Sequence, residues 1–250
     1  MEINGRTGRW YQHWWGVVLL SFGIVVLLLV SVVGVLTGRY WWQLKQGKGT
    51  ELAKQFTGNF TASLPGNRPG NGIINRAALE TADDPWLGRQ SAPIVIVEFI
   101  DFKCPNCKRA LPIMRQVLQK YGDKIRFIVR DLPVESAHPG ATELAELASC
   151  ALSQERFWPL YEILYAEQEI LPVPLASEDI ERLAIRADLN VTALRNCFSS
   201  AMPQREVQQD YLDALHFGVQ GTPTFFINGH KVEGVVPFET WEKILSNSSQ

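Results

Sequence analysis

The sequence predicts an α/β protein in which a parallel strand–helix–strand unit is interrupted by a long helical block and closed by two strands and a helix. A single apolar segment of membrane length precedes it. Three observations carry this. An apolar run, "IVIVEFI" at Ile94–Ile100, is followed by helical spacing and then by an alternating run. From Pro139 to His216, about 80 residues, the pattern is helical throughout. Residues 16–36 contain no charged side chain.

Bulk composition is that of an ordinary globular chain. Its 250 residues are 46% apolar and 20% charged, with a net charge of −2. That balance gives no reason to expect a nucleic-acid partner. The four cysteines are Cys104, Cys107, Cys150 and Cys197. An even, low count suits two disulfides outside the cytosol, or one reactive pair with two bystanders.

Residues 1–15 form a short tail, and 16–36 are expected to be a transmembrane anchor. Val17–Leu36 would span roughly 30 Å as a helix, the thickness of a bilayer core. Trp10, Tyr11, Trp14 and Trp15 precede it and Tyr40, Trp41 and Trp42 follow, where interfacial aromatics belong. A cleaved signal peptide would have a shorter apolar region and a small-residue cleavage site. Orientation is contradictory. Arg6 and Arg9 lie before the span, but Arg39, Lys45, Lys48 and Lys54 lie after it. Counting positive charges keeps the C-terminal domain in the cytoplasm. The chemistry of the cysteines argues the other way, and the conflict stands; the expectation is a single-pass protein of the cell membrane with its C-terminal domain outside the cytoplasm.

Residues 37–83 read as juxtamembrane segment and linker. "SLPGNRPGNG" is turn-rich, Glu51–Phe56 suits a short helix, and Ile73–Asn75 suits a first edge strand. The globular domain is expected over 84–250. Ile94–Ile100 is a strand covered on both faces, Pro105–Lys120 a helix, and Lys124–Val129 a second, parallel strand. Candidate helices follow at Gly140–Ser153, Glu155–Glu169, Ser177–Arg186, Val191–Ser199 and Pro203–Phe217, in an insertion spanning about 136–217. Thr224–Ile227 and Lys231–Val235 flank Asn228-Gly229, a strong hairpin signal. A helix over Phe238–Leu245 closes the chain.

The chemistry centres on Cys104 and Cys107, separated by Pro105-Asn106 at a strand-to-helix junction. Proline is tolerated in a first helical turn, which puts Cys104 at the helix N-terminus. Unpaired N–H groups and the helix dipole there stabilise a thiolate, the attacking species in disulfide exchange. Cys107 lies one turn further in, as the resolving thiol. A zinc site would need a second close pair, which these spacings lack. An inert bridge across two residues would be a tight, labile loop. Glu98, an acid inside the apolar run, is either a raised-pKa proton relay for Cys107 or a strand-end glutamate turned outward. Asp101 is expected to face solvent or cap the helix. His138 in "HPGA" reads as a capping or packing residue. Thr222-Pro223, just before a central-looking strand, could take a cis peptide and set the Thr222 backbone beside the sulfurs.

Four segments, "VEFIDFKCPNC", "HPGATELAELASCAL", "RFWPLYEILY" and "VQGTPTFFING", together resemble the bacterial DsbA-like thiol:disulfide oxidoreductases. The resemblance covers about Asp84–Leu245 and implies a thioredoxin fold with a helical insertion. It also implies a nucleophilic Cys104, a resolving Cys107, a cis-Pro223 preceded by Thr222, and Glu98 as buried acid. The best-known oxidant of that family has histidine where this chain has Asn106. Asn106 carries no positive charge, so a milder oxidant is expected. Cys150 and Cys197 are either buried free thiols or, as related proteins suggest, a structural disulfide closing a loop of about 48 residues. No cofactor or metal is implied. Expected partners are thiols of unfolded or exported proteins and a membrane quinone-linked reoxidase. Two alternatives stay open: a reductase or isomerase of the same fold, and a non-catalytic, chaperone-like binding module.

Overall fold

The structure is a computed structural model in which residues 14–45, 73–81 and 83–247 are described. It comprises two units, Met1–Asn59 and Phe60–Gln250. In the first, α1 (Trp14–Lys45) is one continuous helix of 32 residues, about 48 Å long at 1.5 Å per residue. Apolar side chains along it, among them Phe22, Ile24, Leu27, Leu28 and Leu29, are exposed. Side chains at 15–17, 20, 33 and 35–45 lie outside the description, and across the residues that are described no helix is long and apolar enough to cross a membrane. The helix expected at Glu51–Phe56 and the linker "SLPGNRPGNG" also lie outside the described residues.

The second unit begins with a short helix, α2 (Arg76–Leu79), capped by the Asn75 side chain, which accepts from the Ala77 N–H at 3.0 Å. This corrects the edge strand expected at Ile73–Asn75. Ile74 donates one backbone hydrogen bond to Gly229 at 3.1 Å, and the Asn75 cap then turns the chain into the helix. The edge strand is instead β1 (Trp86–Gly88). It joins β2 (Ile94–Ile100), β3 (Ile125–Asp131), β4 (Thr224–Ile227) and β5 (His230–Glu233) in a five-stranded sheet of order β1-β3-β2-β4-β5. Only β2 and β3 are parallel, joined by the crossover helix α3 (Pro105–Tyr121). The β4–β5 turn has Asn228 at φ 49° and Gly229 at φ 84°. A Cβ on Gly229 would lie 2.2 Å from the Ile74 carbonyl oxygen, so glycine is required there twice over.

All seven residues of β2 are buried. Ile94, Ile96 and Ile100 belong to the larger apolar core, and Val95, Val97 and Phe99 to a second core on the other face. That two-sided burial is why the strand reads as a continuous apolar run. Between β3 and β4 lie five helices: α4 (Ala141–Leu152), α5 (Phe157–Ala166), α6 (Ser177–Arg186), α7 (Val191–Phe198) and α8 (Met202–His216). A disulfide joins Cys150 on α4 to Cys197 on α7, with Cα atoms 5.7 Å apart. The last helix, α9 (Phe238–Asn247), buries Trp241 edge-on against Phe225, with ring centroids 5.1 Å apart.

Candidate active site

The site forms where β2 ends. Its central position carries Glu98 into the interior and delivers the chain to the turn at 101–103, after which α3 begins at Pro105. Cys104 is the N-cap of α3, with extended backbone at φ −74° and ψ 121°, and Pro105 fills the first helical position. Cys107 follows one turn later. Both cysteines are free and buried, at 4% and 2% exposure.

Across from them, the loop after α8 presents Thr222 and Pro223, joined by a cis peptide bond. The Cys104 thiol donates to the Thr222 carbonyl at 3.3 Å. The Thr222 hydroxyl is buried without another partner, which leaves it available to the sulfur. Ionisation turns the sulfur from donor to acceptor. The Cys104 pKa is thereby lowered from 9.0 to about 6, chiefly by the hydrogen bond from Cys107. Thr222 and the backbone N–H groups of Cys107 and Asn106 add to this against the opposing effect of burial. The sequence placed the cause in the helix end alone; the structure puts the neighbouring thiol first.

Cys107 moves the other way. Burial pushes its thiol well above the ordinary range, and the charges of Cys104 and Glu98 add to that. Glu98 is 2% exposed. One of its carboxyl oxygens, Oε2, is buried without a hydrogen-bond partner. Burial raises its pKa from 4.5 to about 8, so the acid is mostly neutral at pH 7. The strand-end glutamate turned outward is thus excluded. Tyr161 and Tyr165, also pushed up by burial, close the apolar side of the same cluster. Asn106 has its side-chain oxygen engaged by Arg109 Nη1 at 3.2 Å.

Asp101 corrects the sequence reading. It is 1% exposed rather than solvent-facing. Its carboxylate accepts from the Lys103 N–H at 2.7 Å, from the Val134 N–H at 2.9 Å, and pairs with His138 Nδ1 at 2.7 Å. Those bonds tie the active-site turn to the segment after β3, and they give His138 a partner the sequence did not suggest. Among the described residues, no group of three or more His, Cys, Asp or Glu side chains is placed to hold a metal ion.

Two oppositely tuned cysteines at a strand-to-helix turn, with the Cys104 sulfur against a cis-proline loop that leads into the neighbouring strand of a mixed sheet, define the fold of a thioredoxin-like disulfide oxidoreductase. A family profile described as thioredoxin matches residues 80–247, and the chain belongs to that family. The catalytic domain of Proteus mirabilis ScsC superposes with a TM-score of 0.58 at 22% identity, covering 70% of this chain and 94% of that one. The thiol-disulfide exchange protein alpha-DsbA2 from Wolbachia pipientis superposes with a TM-score of 0.60 at 18% identity, covering 69% and 90%. At such identities the likeness is one of fold. In sequence, the chain is 36% identical over 151 residues to a protein named Na(+)/H(+) antiporter NhaA 3 from Salinispora tropica, covering 60% of this chain and 22% of that protein. The chain spans about a quarter of the length of the curated relatives it matches.

Proposed function

We propose that this chain is a membrane-tethered thiol:disulfide oxidoreductase that donates a Cys104–Cys107 disulfide to thiols of exported proteins. The single observation that carries the reading is the opposite tuning of the two sulfurs, Cys104 down to about 6 and Cys107 well up. A substrate thiolate attacks Cys104 of the disulfide, forming a mixed disulfide and expelling the Cys107 sulfur. That sulfur is the strongly basic one and takes up a proton, for which Glu98, buried, neutral at pH 7 and electrostatically coupled to Cys107, is the source we propose. A second substrate thiolate then attacks the substrate's own sulfur in the mixed disulfide and expels Cys104 as a stable thiolate. Two electrons pass to the protein and the substrate gains a disulfide. An electron acceptor must reoxidise the pair; a quinone-linked membrane protein is the partner we propose.

Tethering is supported by the uninterrupted 32-residue helix α1 and its charge-free stretch at 16–36. We place the redox domain outside the cytoplasm because a disulfide donor works where thiols are not kept reduced. Ion transport is not carried over from the antiporter relatives, of which this chain spans only a small part. The test compares wild type with Cys104→Ser in oxidation of a reduced, unfolded protein. Turnover lost with Cys104 supports the enzyme. Equal effects of both proteins on the substrate would favour a binding module instead.

A further inference from the structure

One buried polar side chain outside the sulfur pair is bonded to the active-site turn alone. Gln168 lies just past the end of α5 and is 5% exposed. Its amide nitrogen donates to the carbonyls of Phe102 at 2.8 Å and Cys104 at 2.9 Å. The contact is reciprocal. Lys103 Nζ donates to the carbonyls of Gln168 at 3.2 Å and Leu171 at 3.3 Å. The Tyr165 hydroxyl reaches the Asp101 carbonyl at 3.4 Å, and the Phe102 ring packs against those of Tyr161 and Tyr165, with centroids 5.7 and 5.3 Å away. The turn at 101–104 and the insertion segment at 165–171 therefore hold each other from both directions.

An N-cap residue usually fixes its helix end with a side-chain oxygen. Cys104 has none, and its side chain makes no capping hydrogen bond. Its backbone must be held otherwise. The Cys104 carbonyl accepts the first helical bond, from the Lys108 N–H at 3.2 Å. The Gln168 amide, bonded to the same carbonyl and to that of Phe102, fixes the orientation of this peptide plane. That plane decides where Sγ lies relative to the free N–H groups of Asn106 and Cys107.

We propose that Gln168 is a positioning residue through which the helical insertion sets the ionisation of Cys104, by fixing the carbonyls of Phe102 and Cys104. The proposal rests on the reading of Cys104 as the reacting sulfur. Besides Thr222 and the N–H groups already named, Glu98 on β2 and the Asp101 backbone act on Cys107, and Tyr161 and Tyr165 on α5 feel its charge. None of them changes in the variants below.

The test uses the reduced full chain as wild type, Gln168→Met, Gln168→Glu and Glu169→Gln. The last removes only the exposed pair between Lys108 and Glu169, 3.1 Å apart, and serves as control. Three quantities are read: the pH midpoint of iodoacetamide alkylation, the equilibrium with glutathione, and the thermal midpoint. Gln168→Met, which keeps the bulk but no donor, raises the alkylation midpoint by about half to one pH unit, or about 3- to 10-fold less thiolate below the midpoint. Its glutathione equilibrium shifts the same way, toward the disulfide. Gln168→Glu moves further, since a carboxylate repels both carbonyls and the thiolate. Glu169→Gln leaves the midpoint in place. A folded Gln168→Met with the wild-type midpoint, whatever its thermal stability, overturns the proposal. Should that variant fail to fold, Gln168→Asn, whose amide falls a methylene short of the carbonyls, is read on the same scale, and an unmoved midpoint again overturns it. Absence of turnover in wild type would sink the exchange reading separately, because alkylation reports on the clamp with no substrate present.

Discussion

Replacing Cys107 with alanine or with serine separates the causes of Cys104 acidity. The strongest pull on the Cys104 thiolate is the hydrogen bond donated by the Cys107 thiol, ahead of Thr222 and the helix N–H groups. The whole lowering, from 9.0 to about 6, corresponds to roughly 4 kcal/mol of preference for the thiolate at 1.36 kcal/mol per pH unit. A hydrogen bond to a charged group contributes about 1.5–3 kcal/mol, which is ~1–2 pH units of that total. Cys107→Ala deletes this bond and should lift the midpoint from about 6 to ~7–8. Cys107→Ser keeps an O–H donor at nearly the same place, and its midpoint should stay within about half a unit of wild type. Because Cys150 and Cys197 are bridged, Cys104 is the sole free thiol among the described residues of both variants. The iodoacetamide rate followed against pH therefore reads it alone. If alanine and serine variants both titrate with wild type, the acidity belongs to the helix end and the argument from the neighbouring thiol is wrong. If wild type itself titrates near 9, the exchange mechanism loses its basis.

Three further outcomes are expected. Asn106→His adds a cation beside Cys104 and should lower the alkylation midpoint; no downward movement would count against charge at this position as a tuning device. Glu98 has a folded-state pKa raised from 4.5 to about 8, so its ionisation opposes folding. Its cost is absent below the unfolded value, grows as pH rises from 4.5 to about 8, and is constant above that. By pH 7 it amounts to about 3 kcal/mol, and Glu98→Gln should abolish that pH dependence in denaturant titrations at several pH values; an unchanged slope would mean that Glu98 titrates normally. Removing the bridge by Cys150→Ala with Cys197→Ala should cost about 2–4 kcal/mol in the same assay while leaving the Cys104 midpoint in place, since the bridge joins α4 to α7. A shifted midpoint would show that the bridge acts on the site.

How much of this was legible in the sequence depended on range. The β2 run announced a doubly covered strand because each of its residues faces apolar neighbours, and Glu98 stood out as the one acid in that run. The sulfur pair, the T-P step and the Asn-Gly turn are local signals tied to local backbone demands. Asp101 was misjudged because its partners, Val134 and His138, come from 33 and 37 residues away. Gln168 gave no signal at all, for its partners are main-chain carbonyls 64 and 66 residues distant, which carry no side-chain identity. The edge strand β1 has three residues and only partial burial, too short for any periodicity to register.

The two roles of an acidic sulfur weigh differently on the direction of electron flow. With its pKa at about 6, Cys104 is about 90% thiolate at pH 7, against ~1% for a thiol ionising at 9. Intrinsic nucleophilicity falls with pKa at a Brønsted slope of about 0.4–0.5, a loss of roughly 20-fold over this interval, so the net gain in attack is only several-fold. As a leaving group, Cys104 gains with no such offset: a more acidic sulfur departs from a mixed disulfide faster. The stabilised thiolate also lies on the reduced side of the couple. Roughly 4 kcal/mol there, at about 30 mV per 1.4 kcal/mol, raises the potential by ~90 mV over a pair lacking it. Every consequence of the lowered pKa except the small gain in attack favours releasing an oxidised substrate and keeping Cys104 and Cys107 reduced. That asymmetry is the physical ground for reading the site as a disulfide donor rather than a reductase. A measured potential at or below that of thioredoxin would reverse it.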